Sequence, residues 1–213
     1  MTHPAQPGPV PPARTAAVLQ VLANLLVVGL FTLLVIASYH HFIRTRSLAS
    51  LGILAVNTLF LSLFLTRQPA KAETRSPLLW VLGLAGTAVP LLLRPGDGAG
   101  LSALGAAIQV LGFVMVAAAL LSLRRSFAVV PANRGVRTGG MYRIVRHPIY
   151  LSELTVLLGV ILANPTLANV VIWMCECGLQ FARARAEEEF LVSDPLYRAY
   201  RERVRYRLIP GLI

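Results

Sequence analysis

Arg146-His147-Pro148-Ile149-Tyr150 opens an apolar run that lasts to Ala163. Asn164-Pro165 then reverses the chain, and a second apolar run, Thr166–Ala182, ends in Arg183-Ala184-Arg185-Ala186-Glu187-Glu188. Both runs are short for membrane helices. Pro148–Ala163 has 16 residues, about 24 Å as a helix. The Asn-Pro pair is a turn signal. This stretch therefore predicts an antiparallel helical hairpin whose two open ends, both charged, lie on one side of a bilayer. The second helix is expected to run on through the glutamates until Asp194-Pro195 interrupts it.

The rest of the chain fits that frame. It has 213 residues, 56% hydrophobic and only 14% charged, where a soluble domain carries about 25% charged residues. Four further apolar segments precede the hairpin, at Thr15–Tyr39, Leu48–Thr66, Pro77–Leu93 and Leu101–Leu123. Arg44 and Arg46, the stretch Arg67–Arg75, and Pro95-Gly96-Asp97-Gly98 separate them. The expected fold is all-α: a polytopic transmembrane bundle of about six spans, with a C-terminal helical hairpin and interfacial C-terminal helices. Residues 1–14 read as a Pro-rich, disordered N-terminus, residues 15–123 as the N-terminal membrane helices, and residues 124–213 as a basic loop, the hairpin and the C-terminal region. The amphipathic stretch Leu196–Leu208 is expected to be an interfacial helix.

Charge sets the orientation. The net charge of +11 does not indicate nucleic acid, because the cations sit between apolar segments. With six spans and a cytoplasmic N-terminus, all but Arg44, Arg46 and Arg94 of the 20 Lys and Arg fall on the cytoplasmic side. The chain is thus expected to be a multi-pass protein of a bacterial-type inner or plasma membrane, with its site facing the cytoplasm. Cys175 and Cys177 lie within an apolar segment at a spacing that fits neither a zinc pair nor a redox motif. No metal site is expected.

The polar residues of the hairpin carry the chemistry. Equal distances from the turn place Glu153 level with Glu176, Arg146 with Arg183, and Tyr150 beside Leu179 and Gln180. On the second helix Trp173, Glu176, Gln180, Arg183 and Glu187 recur every three or four residues and share one face. A polar stripe on a membrane helix seals against other polar groups or lines a wet cavity. Such a pocket suits the joining of a water-soluble reagent to a lipid-borne acceptor. Glu187 can bind an ammonium group, His147 and nearby N–H groups a carboxylate or ribose, and Tyr142 and Tyr150 can flank a flat base. Arg183 can clamp an acidic acceptor. Asn24, Asn57 and Gln109 are expected to make interhelical hydrogen bonds.

Thr138-Gly139-Gly140-Met141-Tyr142, Arg146-His147-Pro148-Ile149-Tyr150, Asn164-Pro165, Arg183 with Glu187-Glu188, Tyr197-Arg198-Ala199-Tyr200 and Ile209-Pro210 occur in that order. The set resembles the isoprenylcysteine carboxyl methyltransferase family over about residues 124–213. That wider group also includes membrane phospholipid N-methyltransferases, which share the paired glutamates. The resemblance implies an integral membrane methyltransferase that uses S-adenosylmethionine, yields S-adenosylhomocysteine and lacks a Rossmann domain. It assigns cofactor contacts to Arg134, Gly135, Val136, Arg137, Tyr142, His147, Pro148, Ile149, Tyr150 and Glu187, and the substrate carboxylate to Arg183. Gly139, Met141 and the short Val192-Ser193-Asp194-Pro195 segment depart from the family pattern and bear on the substrate more than on the cofactor. Glu153 and Glu176 join Arg183 as candidate catalytic residues on register alone. The expected acceptor is a lipid or lipidated small molecule within the bilayer, most simply the carboxylate of an isoprenylcysteine-like substrate. A phospholipid amine is the alternative; a sterol-reductase-like enzyme using NADPH and a non-catalytic scaffold are the rivals.

Overall fold

The computed structural model describes residues 14–70, 72–74, 76–93, 102–127 and 132–212. The Pro-rich N-terminus and the Pro95–Gly98 turn fall outside them. Helix α1 spans Arg14–Thr45 and α2 spans Leu48–Thr66. Strand β1 is Ala72–Glu73, and α3, Pro77–Ala88, ends in a 3-10 turn over Val89–Leu92. Helix α4 is Ser102–Leu123, followed by a 3-10 turn at Arg124–Ser126 and strand β2 at Ala132–Asn133. A 3-10 turn at Gly140–Arg143 leads to α5, Pro148–Ala163, then α6, Leu167–Leu191, and α7, Pro195–Arg203.

Local chemistry explains the boundaries. Ser47 caps α2 by accepting from Ser50 N at 3.2 Å, and Thr166 caps α6 by accepting from Asn169 N at 3.2 Å. Proline stands at the start of α3, α5 and α7, where its fixed φ and missing N–H cost nothing. Asp194 accepts from Leu196 N at 2.8 Å, so the Asp-Pro pair both stops α6 and starts α7.

Among the described residues, three helical stretches are long and apolar enough to cross a membrane: Asn24–Thr45, Leu48–Thr66 and Ala103–Ser126. Pro77–Leu92 and Pro148–Ala163 are shorter apolar helices, and α6 changes from apolar to charged part-way along. Length and composition thus support three spans where six were expected. Helix α1 also runs further than expected, which places Arg44 in its last turn. Leu22, Leu25, Leu26, Leu33, Val114 and Met174 project outward exposed, as lipid-facing side chains do.

Helix α5 packs more extensively along α4 than against α6. Glycine permits this. A Cβ on Gly112 would lie 2.6 Å from Val156 N, and one on Gly159 would lie 2.6 Å from Gly105 O. Without a hydrophobic force between helices in lipid, such close backbone approach is a main source of association. The hairpin expected from α5 and α6 is therefore one side of a three-helix contact.

The segments assigned to one membrane face do converge at one end of the bundle. Arg67 Nη2 donates to Asn24 Oδ1 at 2.7 Å, Gln68 N donates to Arg125 O at 2.8 Å, and Arg134 donates to Gln68 O. Strands β1 and β2 pair antiparallel at the same end, Ala72 opposite Asn133. Asn57 donates to Ser38 Oγ at 2.7 Å, the interhelical bond expected of it.

The expected C-terminal helix is only partly present. Helix α7 stops at Arg203, and residues 204–208 are not helical. Their carbonyls have better partners. Tyr206 O accepts from Arg146 N at 2.9 Å and Arg207 O from His147 N at 2.9 Å. Val204 and Leu208 are buried beneath this strap.

Candidate active site

The strap, the 146–147 entrance and the end of α6 are fastened by Glu188. Its carboxylate accepts from Arg146 Nε at 2.7 Å and from Arg207 Nη2 at 3.0 Å, and lies 3.2 Å from His147 Nε2. Arg146 Nη1 also donates to the carbonyls of Val204 and Arg205, both at 3.0 Å. Burial alone would raise the Glu188 pKa, but these donors more than offset it and hold the carboxyl well below the usual carboxylate range. The register expected for this end was wrong. Arg146 meets Glu188 rather than Arg183, because residue 146 precedes α5 and its guanidinium reaches along the entrance loop. Tyr200 OH adds a bond to Tyr142 O at 2.9 Å, tying α7 to the 3-10 turn before the entrance.

One residue earlier on α6, Glu187 faces a cavity. Tyr150 OH donates to Glu187 Oε2 at 2.9 Å, and His147 Nδ1 lies 3.6 Å from the same oxygen. The rings of His147 and Tyr150 are parallel within 4°, with centroids 5.4 Å apart. The Glu187 side chain keeps 30% of its area exposed, against 3% for Glu188. Adjacent glutamates thus differ sharply in situation: one is locked in a knot of cations, the other is open to a ligand.

The cavity has a volume of about 520 Å³, within the range of small-molecule sites. Its lining includes Arg134, Gly135, Val136, Arg137, Tyr142, His147, Ile149, Tyr150 and Glu187. Pro148 is buried at the start of α5 and does not line it. Gly135 has φ +97°, a conformation costly for other residues, so glycine shapes this loop. Tyr142 is buried, and this together with Glu187 raises its phenol pKa well above the ordinary value, so it keeps its proton. Helices α1, α2 and α4 add apolar walls, Phe31, Leu34, Phe60, Phe113 and Val116, together with the polar side chains of Ser38, Asn57 and Gln109.

Two details differ from expectation. The N–H groups of Arg146 and His147 are occupied by the strap carbonyls, and both His147 ring nitrogens face carboxylates. This corner is built to receive a cationic group at Glu187 rather than an anion at His147. Second, Glu153 and Glu176, placed level by the register, are linked through a third residue. Gln180 stands between them, its Nε2 donating to Glu153 Oε2 at 2.8 Å and to Glu176 Oε1 at 2.7 Å. Glu153 lines the cavity; Glu176 is fully buried behind it.

The expected stripe on α6 faces inward. Trp173 Nε1 donates to Leu154 O of α5 at 3.3 Å, and Glu176, Gln180 and Arg183 are buried. Arg183 Nη1 donates to Gln180 Oε1 at 3.1 Å, and its guanidinium carbon lies 4.7 Å from the Tyr150 ring centroid. A Cβ on Gly86 of α3 would sit 2.7 Å from Arg183 Nη1, so a side chain there would make the arginine shift. Arg183, Glu153 and Glu187 therefore line one cavity together with the apolar side chains. Gln180 bonds to Arg183 and Glu153 but was read from sequence only as a stripe member. Its spacing gave its face and not its partners.

No curated protein matches the chain. The region that builds the site has a match at family level: residues 101–198, from the start of α4 into α7, are similar to the family described as phospholipid methyltransferase.

Proposed function

We propose that the protein is an integral membrane methyltransferase that moves a methyl group from S-adenosylmethionine to a lipid-borne acceptor. The observation that carries this is the shared cavity: the partly exposed carboxylate of Glu187 and apolar side chains of α1, α2 and α4 line the same space. The family match over residues 101–198 supports it.

The residues present suit that cofactor. Glu187 would hold the ammonium of its amino acid part, Tyr142 and Tyr150 would flank the base, and the 134–137 loop would cover the remainder. The cofactor would supply an electrophilic methyl carbon, released from sulfur with the bonding pair left on sulfur. The protein would contribute alignment and exclusion of water. Arg183 would orient an acceptor carboxylate, which needs no general base. The most specific reading is thus a carboxyl O-methyltransferase acting on an isoprenylcysteine-like substrate. A second reading, a phospholipid amine acceptor, is favoured by the family description and by Glu153, a carboxylate on the cavity wall that could take a proton.

The test is methyl transfer in lipid nanodiscs from labelled S-adenosylmethionine, with an N-acetylated S-prenyl cysteine and phosphatidylethanolamine as separate acceptors. Base-labile label on the first is expected, lost in Glu187→Gln together with calorimetric binding of S-adenosylhomocysteine. Label on the amine lipid alone would select the second reading. Thermal stabilisation by NADPH and not by S-adenosylhomocysteine would overturn both.

A further inference from the structure

Glu176 raises a problem. It is fully buried, does not line the cavity, and has one carboxylate oxygen, Oε2, with no hydrogen-bond partner among the described residues. Burying a carboxyl group inside an apolar bundle is costly, yet this one cannot reach a ligand. Among the described residues its hydrogen bond runs to Gln180, whose side chain is itself fully buried and does not line the cavity.

Gln180 makes three hydrogen bonds that fix the sense of its amide. The NH2 group faces two carboxylates, at 2.7 and 2.8 Å, and the carbonyl faces a guanidinium at 3.1 Å. Flipping the amide would set oxygen against both carboxylates and NH2 against Arg183, losing all three bonds. A charged residue could not do this. A cation would repel Arg183, and a carboxylate would repel Glu153 and Glu176. Only an amide presents a donor face and an acceptor face at this length.

We propose that Gln180 is a positioning residue, an uncharged tie that fixes the Arg183 guanidinium in the cavity by joining it to Glu153 and to the buried Glu176. Glu176 acts through Gln180 and touches no substrate. Arg183 is held from three sides: Gln180 below, the Tyr150 ring across, and Gly86 of α3 beside it. Without this tie the guanidinium would lose one of the contacts that set its plane, and planar recognition of an acceptor would lose geometry. The part that concerns the acceptor rests on the proposed function; the tie to Arg183 does not.

The experiment therefore begins with a readout that needs no acceptor. The rate at which phenylglyoxal modifies Arg183 is measured in nanodiscs by peptide mass spectrometry, with Arg137 as internal control. Arg137 lines the same cavity and donates instead to Ser126. Gln180→Leu should raise the Arg183 rate about tenfold, as expected for release of coupled contacts. Glu176→Leu should raise it too, although Glu176 does not line the cavity. The Arg137 rate should not change. An unchanged Arg183 rate in both variants overturns the proposal, and so does an equal rise at Arg137, which would mean general loosening. In the second arm, Gln180→Leu should weaken binding of the N-acetylated S-prenyl cysteine about tenfold, adding little when combined with Arg183→Lys. S-adenosylhomocysteine binding should stay within about twofold of wild type. Fully additive losses would refute the tie. A wild-type protein that binds no S-adenosylhomocysteine would refute the proposed function and leave the reactivity result standing.

Discussion

Replacing Glu188 with Gln should loosen the C-terminal strap. The carboxylate serves Arg146, Arg207 and His147 at 2.7, 3.0 and 3.2 Å, and its side chain is only 3% exposed. The Arg146 side chain is 6% exposed, so it cannot turn to water. Removing one partner of a buried ion pair costs about 3–5 kcal/mol. Glutamine keeps one acceptor oxygen for Arg146 but turns an NH2 toward Arg207, so a loss of about 2–3 kcal/mol is expected. At 1.36 kcal/mol per factor of ten, that is about a 30- to 150-fold rise in local opening. The amides of Arg146 and His147 report it, since they donate to Tyr206 O and Arg207 O across the strap. Hydrogen exchange at these two positions should quicken by that factor, while the amides of α4 change little. Exchange within about threefold of wild type would refute the view that Glu188 fastens the entrance.

The same knot predicts a pH dependence. The folded pKa of Glu188 is depressed, so its contribution is complete above the usual carboxylate range and is lost as pH falls below that range toward the folded value. Exchange protection at Arg146 and His147, corrected for intrinsic rate, should therefore fall on acidification in the wild type and stay flat in Glu188→Gln. At the α4–α5 contact, Gly112→Ala should destabilise the protein by about 1–3 kcal/mol, because the added Cβ meets Val156 backbone. Gly29→Ala is the control, since nothing lies within 4 Å of a Cβ there. Equal unfolding temperatures for the two variants would count against close α4–α5 packing.

The parts of the structure legible in the sequence were those with strong local signals. Asn164-Pro165 gave the reversal, Asp194-Pro195 the end of α6, and the three-to-four spacing from Trp173 to Glu187 the inward face of α6. The meeting of the His147 entrance with the paired glutamates followed from that reversal. Depth matching failed where side-chain reach and helix crossing took over, so Arg146 found Glu188 and Gln180 came between Glu153 and Glu176. The strap was misread because its amphipathic spacing is also that of a helix. Hydrogen bonds to Arg146 and His147, over fifty residues away, decide its conformation. The α4–α5 contact rests on single glycines that carry no signal until their partners are known.

The proposed binding of S-adenosylmethionine beside Glu187 is tested by ultraviolet cross-linking of the labelled cofactor to the protein in nanodiscs, followed by peptide mapping. Label is expected on peptides covering residues 132–150 and 183–191, competed away by S-adenosylhomocysteine. Specific label confined to α1, α2 or the outer end of α3, or no competed label at all, would contradict it.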